Sequence, residues 1–353
     1  MIKVLVVDDS MLVRKALSRA LQADPEIEVV GTAADPYEAR EKIKQLNPDV
    51  LTLDVAMPKM DGITFLKNLM RLRPMPVVMV SSLTAHGATE TLDALALGAF
   101  DYVTKPNEGS VGNLNNEIIL KVKGAARANV SPLEQKRVLK PKKTAVAGLS
   151  MTDPLERAKV KSKLIAIGAS TGGTEALKDV MEKMPAECPP IVISQHIPQS
   201  FSAPFAKRLN EISAVNVKEA EDGELIMPGC AYLAPGDDHL LVVRDGVNLR
   251  CRLSKSAPVN RHRPSVDVMY DSVVQTFGKN AVGVLLTGMG NDGAAGLLRL
   301  RESGAMTIAQ DEESSVVWGM PGEAVKLGAA QRIETLHQIP ERIMEAVRTT
   351  IRT

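Results

Sequence analysis

Residues 1–10 read Met1-Ile2-Lys3-Val4-Leu5-Val6-Val7-Asp8-Asp9-Ser10, an apolar run that stops on two adjacent carboxylates. A second apolar run, within residues 49–55, ends in Asp54; a third, residues 76–82, ends in hydroxyls that include Ser81; a fourth ends in Lys105-Pro106. Short apolar runs bounded by polar residues read as buried strands. In a parallel sheet the carboxyl ends of such strands lie side by side, so these side chains converge on one pocket. Carboxylates gathered there repel one another unless a cation or a phosphoryl group joins them. A hard, oxygen-liganded ion such as Mg²⁺ takes carboxylates and phosphate together. The chain therefore reads as opening with a phosphorylation switch.

Outward from this stretch, apolar bursts at residues 3–7, 29–32, 50–53, 77–80 and 102–103 alternate with helical patterns such as 11–22, 37–45 and 63–71. Strand–helix alternation with short connections implies a parallel sheet covered on both faces. Residues 1–122 are thus expected to form one doubly wound domain of five strands and five helices. Residues 123–162 carry scattered bases and prolines but few large apolar side chains, and read as a linker, a solvated tether. Alternation resumes over residues 163–350, with bursts at 164–167, 191–194, 230–234, 239–243, 282–286 and 306–310, and helical patterns at 174–183 and 294–303. A hairpin is expected where 240–243 meets 248–253 across Asp245-Gly246. No internal repeat is evident, and the fold class is α/β: two doubly wound parallel-sheet domains joined by a linker.

The chain has 353 residues, 44% of them hydrophobic, and its 43 basic and 42 acidic residues leave a formal net charge of +1. No global field draws such a protein to nucleic acid or anionic lipid. No apolar run approaches the ~20 residues of a membrane span, and a strand rather than a signal segment stands first. Cys188, Cys230 and Cys251 show no metal-like spacing; a sparse, odd set suits a reducing, cytoplasmic location.

In the N-terminal domain Asp8, Asp9, Asp54, Ser81 and Lys105 each follow a predicted strand. One such residue is unremarkable as an exposed strand end, but five at consecutive strand ends point to function. With the turn from Asp54 through Ala56 and Pro58 to Asp61-Gly62, the pattern resembles the receiver domain of two-component response regulators. The resemblance implies a flavodoxin-like fold in which Asp54 accepts a phosphoryl group. It also implies that Asp9 and Asp54 bind Mg²⁺ directly, that Asp8 helps through water, and that the Ala56 backbone carbonyl completes the site. Lys105 would pair with a phosphoryl oxygen, and Ser81 would bond the phosphoryl group and shift, with Tyr102 following. The family often carries a larger or acidic side chain where Ala56 stands; only the carbonyl is needed for the metal, so the phosphoryl lifetime is what depends on it.

In the second domain residues 164–167 run into Gly168-Ala169-Ser170-Thr171-Gly172-Gly173 and a helix. A tight glycine turn between strand and helix lifts Ser170 from the sheet edge, as a nucleophile elbow does. The same layout could bind a phosphate at the helix N-terminus. Two further strand ends bear on the choice: one delivers Gln195-His196-Ile197-Pro198, the other Gly288-Met289-Gly290-Asn291-Asp292-Gly293. Hydroxyl, imidazole and carboxylate at three strand ends are the set needed for a serine activated by an oriented base. Ser170 is the candidate nucleophile, His196 the base and Asp292 its orienting acid. The glycines around Met289 let backbone N–H groups approach an oxyanion. The order Ser, His, Asp differs from that of α/β-hydrolases. His239 and His262 flank loops and are weaker candidates than His196. Asp311 also ends a strand and reads as a cap or turn residue.

These segments, together with Arg261-His262-Arg263-Pro264-Ser265-Val266-Asp267 and Trp318-Gly319-Met320-Pro321, resemble the chemotaxis protein-glutamate methylesterases, and the receiver and linker stand in that family's order. The resemblance implies a Rossmann-like catalytic domain whose triad matches Ser170, His196 and Asp292. It implies a Met289 backbone N–H in the oxyanion hole, and no cofactor for the esterase step. The implied substrate is a γ-glutamyl methyl ester, and a glutamine for deamidation, on the cytoplasmic region of a chemoreceptor. The implied phosphodonor is a chemotaxis histidine kinase, with no nucleic-acid partner, no membrane insertion and a monomeric state.

Three rival outputs remain at this point. A DNA-binding output needs a basic recognition helix, which residues 163–353 lack. A nucleotide-binding output meets a glycine-rich turn without the Gly-x-Gly-x-x-Gly spacing or the Lys-Ser/Thr of a P-loop. A non-catalytic adaptor is opposed by the intact Ser, His and Asp.

Overall fold

The computed structural model describes residues 1–82, 84–105, 111–128 and 153–349, and the chain divides into two compact units, Met1–Leu139 and Lys140–Thr353. Pro106, Thr350 and the middle of the expected linker, residues 129–152, lie outside the described residues.

The N-terminal unit runs β1 (Ile2–Val7), α1 (Met11–Leu21), β2 (Ile27–Ala33), α2 (Pro36–Leu46), β3 (Val50–Asp54), α3 (Gly62–Leu72), β4 (Val77–Ser81), α4 (Ala85–Ala96), β5 (Asp101–Thr104) and α5 (Val111–Arg127). Its sheet has the order β2-β1-β3-β4-β5, every pair parallel. The inner strands are buried on both faces, which is why they read as unbroken apolar runs: Val4, Leu5, Val6 and Val7 are all fully buried. Polar caps start the helices. Ser10 Oγ accepts from the Val13 N–H, the Asp35 carboxylate from Tyr37 and Glu38 ahead of Pro36, and the Asp61 carboxylate from Thr64. The strand order reverses between β1 and β3, so the crevice of this doubly wound sheet opens at their carboxyl ends.

The second unit runs α6 (Pro154–Ser162), β6 (Leu164–Ala169), α7 (Gly173–Met181), β7 (Ile191–Gln195), α8 (Gln199–Ile212), β8 (Asn216–Glu219), β9 (Cys230–Leu233), β10 (His239–Asp245), β11 (Asn248–Ser254), α9 (Val266–Phe277), β12 (Ala281–Leu285), α10 (Ala294–Glu302), β13 (Met306–Gln310), α11 (Met320–Lys326), β14 (Arg332–Glu334) and α12 (Ile339–Arg348). Seven parallel strands stand in the order β14-β13-β12-β6-β7-β9-β8. From β6 the chain builds outward through β7, then returns to the other side for β12, β13 and β14. The switch point therefore lies between β6 and β12. Between the sheet and helices α9 and α10, Tyr270, Leu285, Leu297 and Leu300 form part of one buried cluster.

The expected hairpin is present: β10 pairs antiparallel with β11 around Gly246-Val247 and packs on α9, apart from the parallel sheet. Three differences from the sequence reading have physical causes. Strands β8 and β14 escape periodicity because each is a short edge strand that needs little apolar surface: Asn216-Val217-Lys218-Glu219 buries only Val217 fully. Helix α5 extends past residue 122 to Arg127, and α6 occupies the last residues read as linker. Both are helices of mixed polarity, hard to separate by composition from a charged tether.

Candidate active site and acidic cleft

Asp8 and Asp9 follow β1 and Asp54 closes β3, on either side of the first switch point. One carboxylate oxygen from each lies within 4.8 Å of the other two. Lys105, just beyond β5, brings Nζ to 2.8 Å from Asp54 Oδ2 and 3.2 Å from Asp8 Oδ2. Among the described residues these two buried oxygens take no contact beyond that ammonium. The Ala56 N–H donates to Asp54 Oδ1 at 3.2 Å. Burial pushes the Asp54 carboxyl up to about 6, the Asp8 charge adds to it, and Lys105 opposes. Burial raises Asp8 as well, against Lys105. Three crowded carboxylates, two of them buried and Asp9 exposed, with a single ammonium on the buried oxygens, form a donor set that suits a hard divalent cation. Ser81 Oγ donates to the Gly87 carbonyl at 3.2 Å, and the Tyr102 ring is buried beneath Lys121 Nζ, 5.0 Å from its centroid.

In the second unit Ser170, His196 and Asp292 follow β6, β7 and β12, three neighbouring strands at the second switch point. Ser170 Oγ stands 3.0 Å from His196 Nδ1, and His196 Nε2 stands 2.8 Å from Asp292 Oδ2. The backbone holds the three in place. The Ser170 N–H donates to the Thr287 carbonyl at 3.0 Å, and the His196 N–H to the Ala169 carbonyl at 3.2 Å. Gly172 turns the chain into α7 at φ +73°, a left-handed conformation that favours glycine. Gly288 passes so close to Ser170 that an added Cβ would sit 2.9 Å from Ser170 Cβ and 2.3 Å from Met320 Sδ. Its N–H donates to the Val317 carbonyl at 3.0 Å, whereas among the described residues no backbone acceptor takes the next N–H, that of Met289.

The charge at Asp292 is strongly determined. Burial would raise its pKa, but hydrogen bonds from His196, Asn260 and the Val266 N–H overcome burial and hold the carboxyl well below the usual range. Ser265 Oγ adds a bond to Oδ1 at 2.8 Å, and the Val266 N–H donates to Oδ2 at 2.7 Å. An ionised Asp292 selects the tautomer with hydrogen on Nε2. That leaves the Nδ1 lone pair facing the Ser170 hydroxyl.

Sequence reasoning singled out the hydroxyl, imidazole and carboxylate but assigned no role to several supporting residues. Gln195, in the same strand end as His196, donates from Nε2 to the Ser170 carbonyl at 3.0 Å and the His196 carbonyl at 3.1 Å. Position 173 must lack a Cβ for this amide to fit, since Gln195 Oε1 would lie 2.2 Å from one. His262, a weaker candidate, stacks on His196 with centroids 3.6 Å apart and planes at 10°. His239 is buried and one step removed: its Nδ1 accepts from the Ser265 N–H at 3.1 Å, and its Nε2 donates to the Ala257 carbonyl at 3.2 Å. Asp311 serves a turn, accepting from the Ser314 N–H at 3.0 Å. The signal for Gln195 was its adjacency to His196 at a strand end; Asn260, His262 and Ser265 lie between β11 and α9, where no periodicity marks them.

Comparison with known proteins joins these observations. Residues 165–343 match the CheB methylesterase family model, and residues 4–113 match that of the response regulator receiver domain. The chain is 54% identical over 372 residues to the protein-glutamate methylesterase/protein-glutamine glutaminase of Hydrogenovibrio crunogenus, covering 98% of this chain and 99% of that one. It is 55% identical over 350 residues to a namesake from Xanthomonas campestris pv. campestris, covering 97% and 96%. Among solved structures, the CheB methylesterase catalytic domain of Thermotoga maritima superposes with a TM-score of 0.52 at 38% identity, covering 53% of this chain and 99% of that domain. With a receiver domain ahead of a methylesterase domain, and full-length relatives above half identity, the chain belongs to the chemotaxis protein-glutamate methylesterase family of response regulators.

Proposed function

We propose that this protein is a phosphorylation-activated serine hydrolase that demethylates glutamate methyl esters, and deamidates glutamines, on chemoreceptors. The observation that carries the reading is the unbroken chain Ser170 Oγ–His196–Asp292, at 3.0 and 2.8 Å, across three adjacent strand ends.

A lone serine hydroxyl is a poor nucleophile at neutral pH. His196 Nδ1 takes its proton as Oγ attacks the ester carbonyl carbon, and Asp292 stabilises the imidazolium that forms. The Met289 N–H receives the developing oxyanion, a contact stronger in the transition state than in the ground state. The protonated Nδ1 then returns its proton to the departing methoxide, releasing methanol; for a glutamine the same proton goes to the leaving amide nitrogen, releasing ammonia. Water, deprotonated by His196, hydrolyses the acyl-enzyme to glutamate and free Ser170.

The receiver supplies control. Asp8, Asp9, Asp54 and the Ala56 carbonyl are the groups that hold Mg²⁺, which when bound neutralises charge on an incoming phosphoryl group. The Asp54 carboxylate accepts that group from a chemotaxis histidine kinase. The Lys105 ammonium then pairs with a phosphoryl oxygen, Ser81 turns its hydroxyl from Gly87 towards the phosphoryl group, and Tyr102 follows. Phosphorylation must favour a catalytically open state over a restrained one, because only such a differential effect shifts a population. The basic segment between the units acts as the tether, the protein acts as a monomer, and its place of action is the cytoplasm. No helix among the described residues is long and apolar enough to cross a membrane.

The test is methanol release from methylated chemoreceptor membranes. The wild-type chain should release it, and Ser170→Ala should lose several orders of magnitude in turnover, the scale of loss for serine triads. Release by Ser170→Ala at the wild-type rate would contradict the assignment.

A further inference from the structure

The chain of contacts does not stop at Asp292. Asn260 Nδ2 donates to Asp292 Oδ1 at 2.8 Å, and the same nitrogen donates to Asp267 Oδ2 at 2.7 Å. One amide group thus gives its two hydrogens to two different carboxylates. Both are buried, Asp292 at 1% exposure and Asp267 at 7%. Asp267 is itself anchored: the Gly296 N–H donates to its Oδ1 at 2.6 Å. A Cβ at position 296 would stand 2.8 Å from that oxygen, so α10 can come this close only with glycine there.

The backbone is bent to deliver the amide. Asn260 and Arg261 have φ +52° and +69°, and the Val259 and His262 N–H and C=O groups bond reciprocally at 3.1 and 2.9 Å. This is a two-residue turn with both central residues left-handed. Asparagine tolerates that region, but an arginine there is uncommon. Such conformations persist where the surroundings over-determine them, and they cluster at functional sites. Here the turn holds the amide on one side of Asp292 and stacks His262 on the ring that Asp292 orients.

A carboxylate can rotate about its Cβ–Cγ bond, and rotation would carry Oδ2 away from His196 Nε2. The Val266 N–H fixes Oδ2, while Ser265 Oγ, Asn260 and, at 3.3 Å, the Asp267 N–H hold Oδ1. Of these, only the Asn260 amide is also tied to a second carboxylate.

We infer that Asn260, seated by Asp267, is a positioning residue of the esterase: it fixes the plane of Asp292 and so the aim of His196 at Ser170. This rests on the serine-esterase reading. Two variants test it. Asn260→Gly keeps the left-handed turn and deletes the amide; Asn260→Asp keeps the shape and replaces both N–H donors by acceptors. Methanol release is measured for wild type, both variants and Ser170→Ala, with the unfolding midpoint and the low-field proton resonance of the His196–Asp292 pair. Both variants should lose kcat roughly 10- to 100-fold, the range for a hydrogen bond to a charged group. Their KM should be unchanged and both should stay folded at the assay temperature, with a lowered unfolding midpoint because each takes a donor from two buried carboxylates; the low-field resonance should broaden or move. Wild-type kcat in either variant, with the resonance unmoved, would overturn the inference while leaving the esterase intact. So would a loss in kcat accounted for by the unfolded fraction at the assay temperature, with the folded fraction turning over at the wild-type rate. An inactive wild-type chain would instead remove the reading on which the inference rests.

Discussion

Imidazole has two nitrogens, and each has one partner here: Asp292 fixes the hydrogen at Nε2 and Ser170 meets Nδ1. Removing the charge at Asp292 removes that preference. Asp292→Asn should cost about 10⁴-fold in kcat, the loss measured when a triad aspartate becomes an amide, read from methanol release. Asp292 also ties pH to stability. Its carboxyl is held below the range it has in the unfolded chain, by hydrogen bonds that outweigh burial. The stability it contributes is therefore complete above the unfolded carboxylate pKa of about 4 and is lost as pH falls below it. Urea unfolding between pH 7 and pH 3 should show wild-type stability declining on the acid side, with a shallower decline in Asp292→Asn. A second residue-scale prediction concerns Gly288, whose added Cβ would press on Ser170 and Met320. Gly288→Ala should lower turnover while its KM for the receptor stays near wild type; an unchanged kcat would mean that the strand end yields freely.

The elements show which parts of the site a sequence can announce. Ser170 and His196 stand directly after fully buried strands, so the apolar pattern marks their positions by stopping; Asp292 stands farther on, in the glycine-rich loop between β12 and α10. The acids and lysine of the receiver are legible for the same reason. Asn260 is not legible: it sits in an exposed turn, where a left-handed φ leaves no period and neighbouring Lys255, Ser256 and Ala257 look like any loop. Asp267 reads as an ordinary first-turn acid of α9, and only the close approach of α10 gives it a partner. Edge strands β8 and β14 were lost because a strand with one neighbour needs few apolar side chains. Helix α10 connects packing to chemistry, since it follows Asp292 and carries Gly296. Leu297, one residue on, is fully buried in the cluster with Tyr270 and Leu285. Leu297→Ala should destabilise this unit by roughly 2–5 kcal/mol through lost burial and a residual cavity, measured by denaturant unfolding of the full chain.

At the scale of the whole molecule, two sheets of the same construction serve two chemistries. Each places its polar side chains where the strand order reverses, between β1 and β3 in the receiver and between β6 and β12 in the catalytic unit. Fold class was legible because alternation of buried strands and amphipathic helices is a global pattern. The boundaries of the intervening segment were not, because α6 is polar enough to pass for tether. The three cysteines give a global probe of the native state. Cys188 and Cys251 are buried, and burial pushes each thiol up to about 12, so both are neutral and shielded at pH 8. A thiol reagent should therefore count at most one of the three in the native protein, Cys230, and all three in denaturant.

The central claim is that one half of the chain gates the ester chemistry of the other. The most direct measurement is methanol release from methylated chemoreceptor membranes, with and without Mg²⁺ and a small phosphodonor such as acetyl phosphate, for wild type and Asp54→Ala. Wild-type release should rise with phosphodonor only when Mg²⁺ is present, and Asp54→Ala should lose that rise. Release that ignores phosphodonor, or a rise that survives in Asp54→Ala, would contradict the gate; no release from folded wild-type protein would contradict the esterase itself.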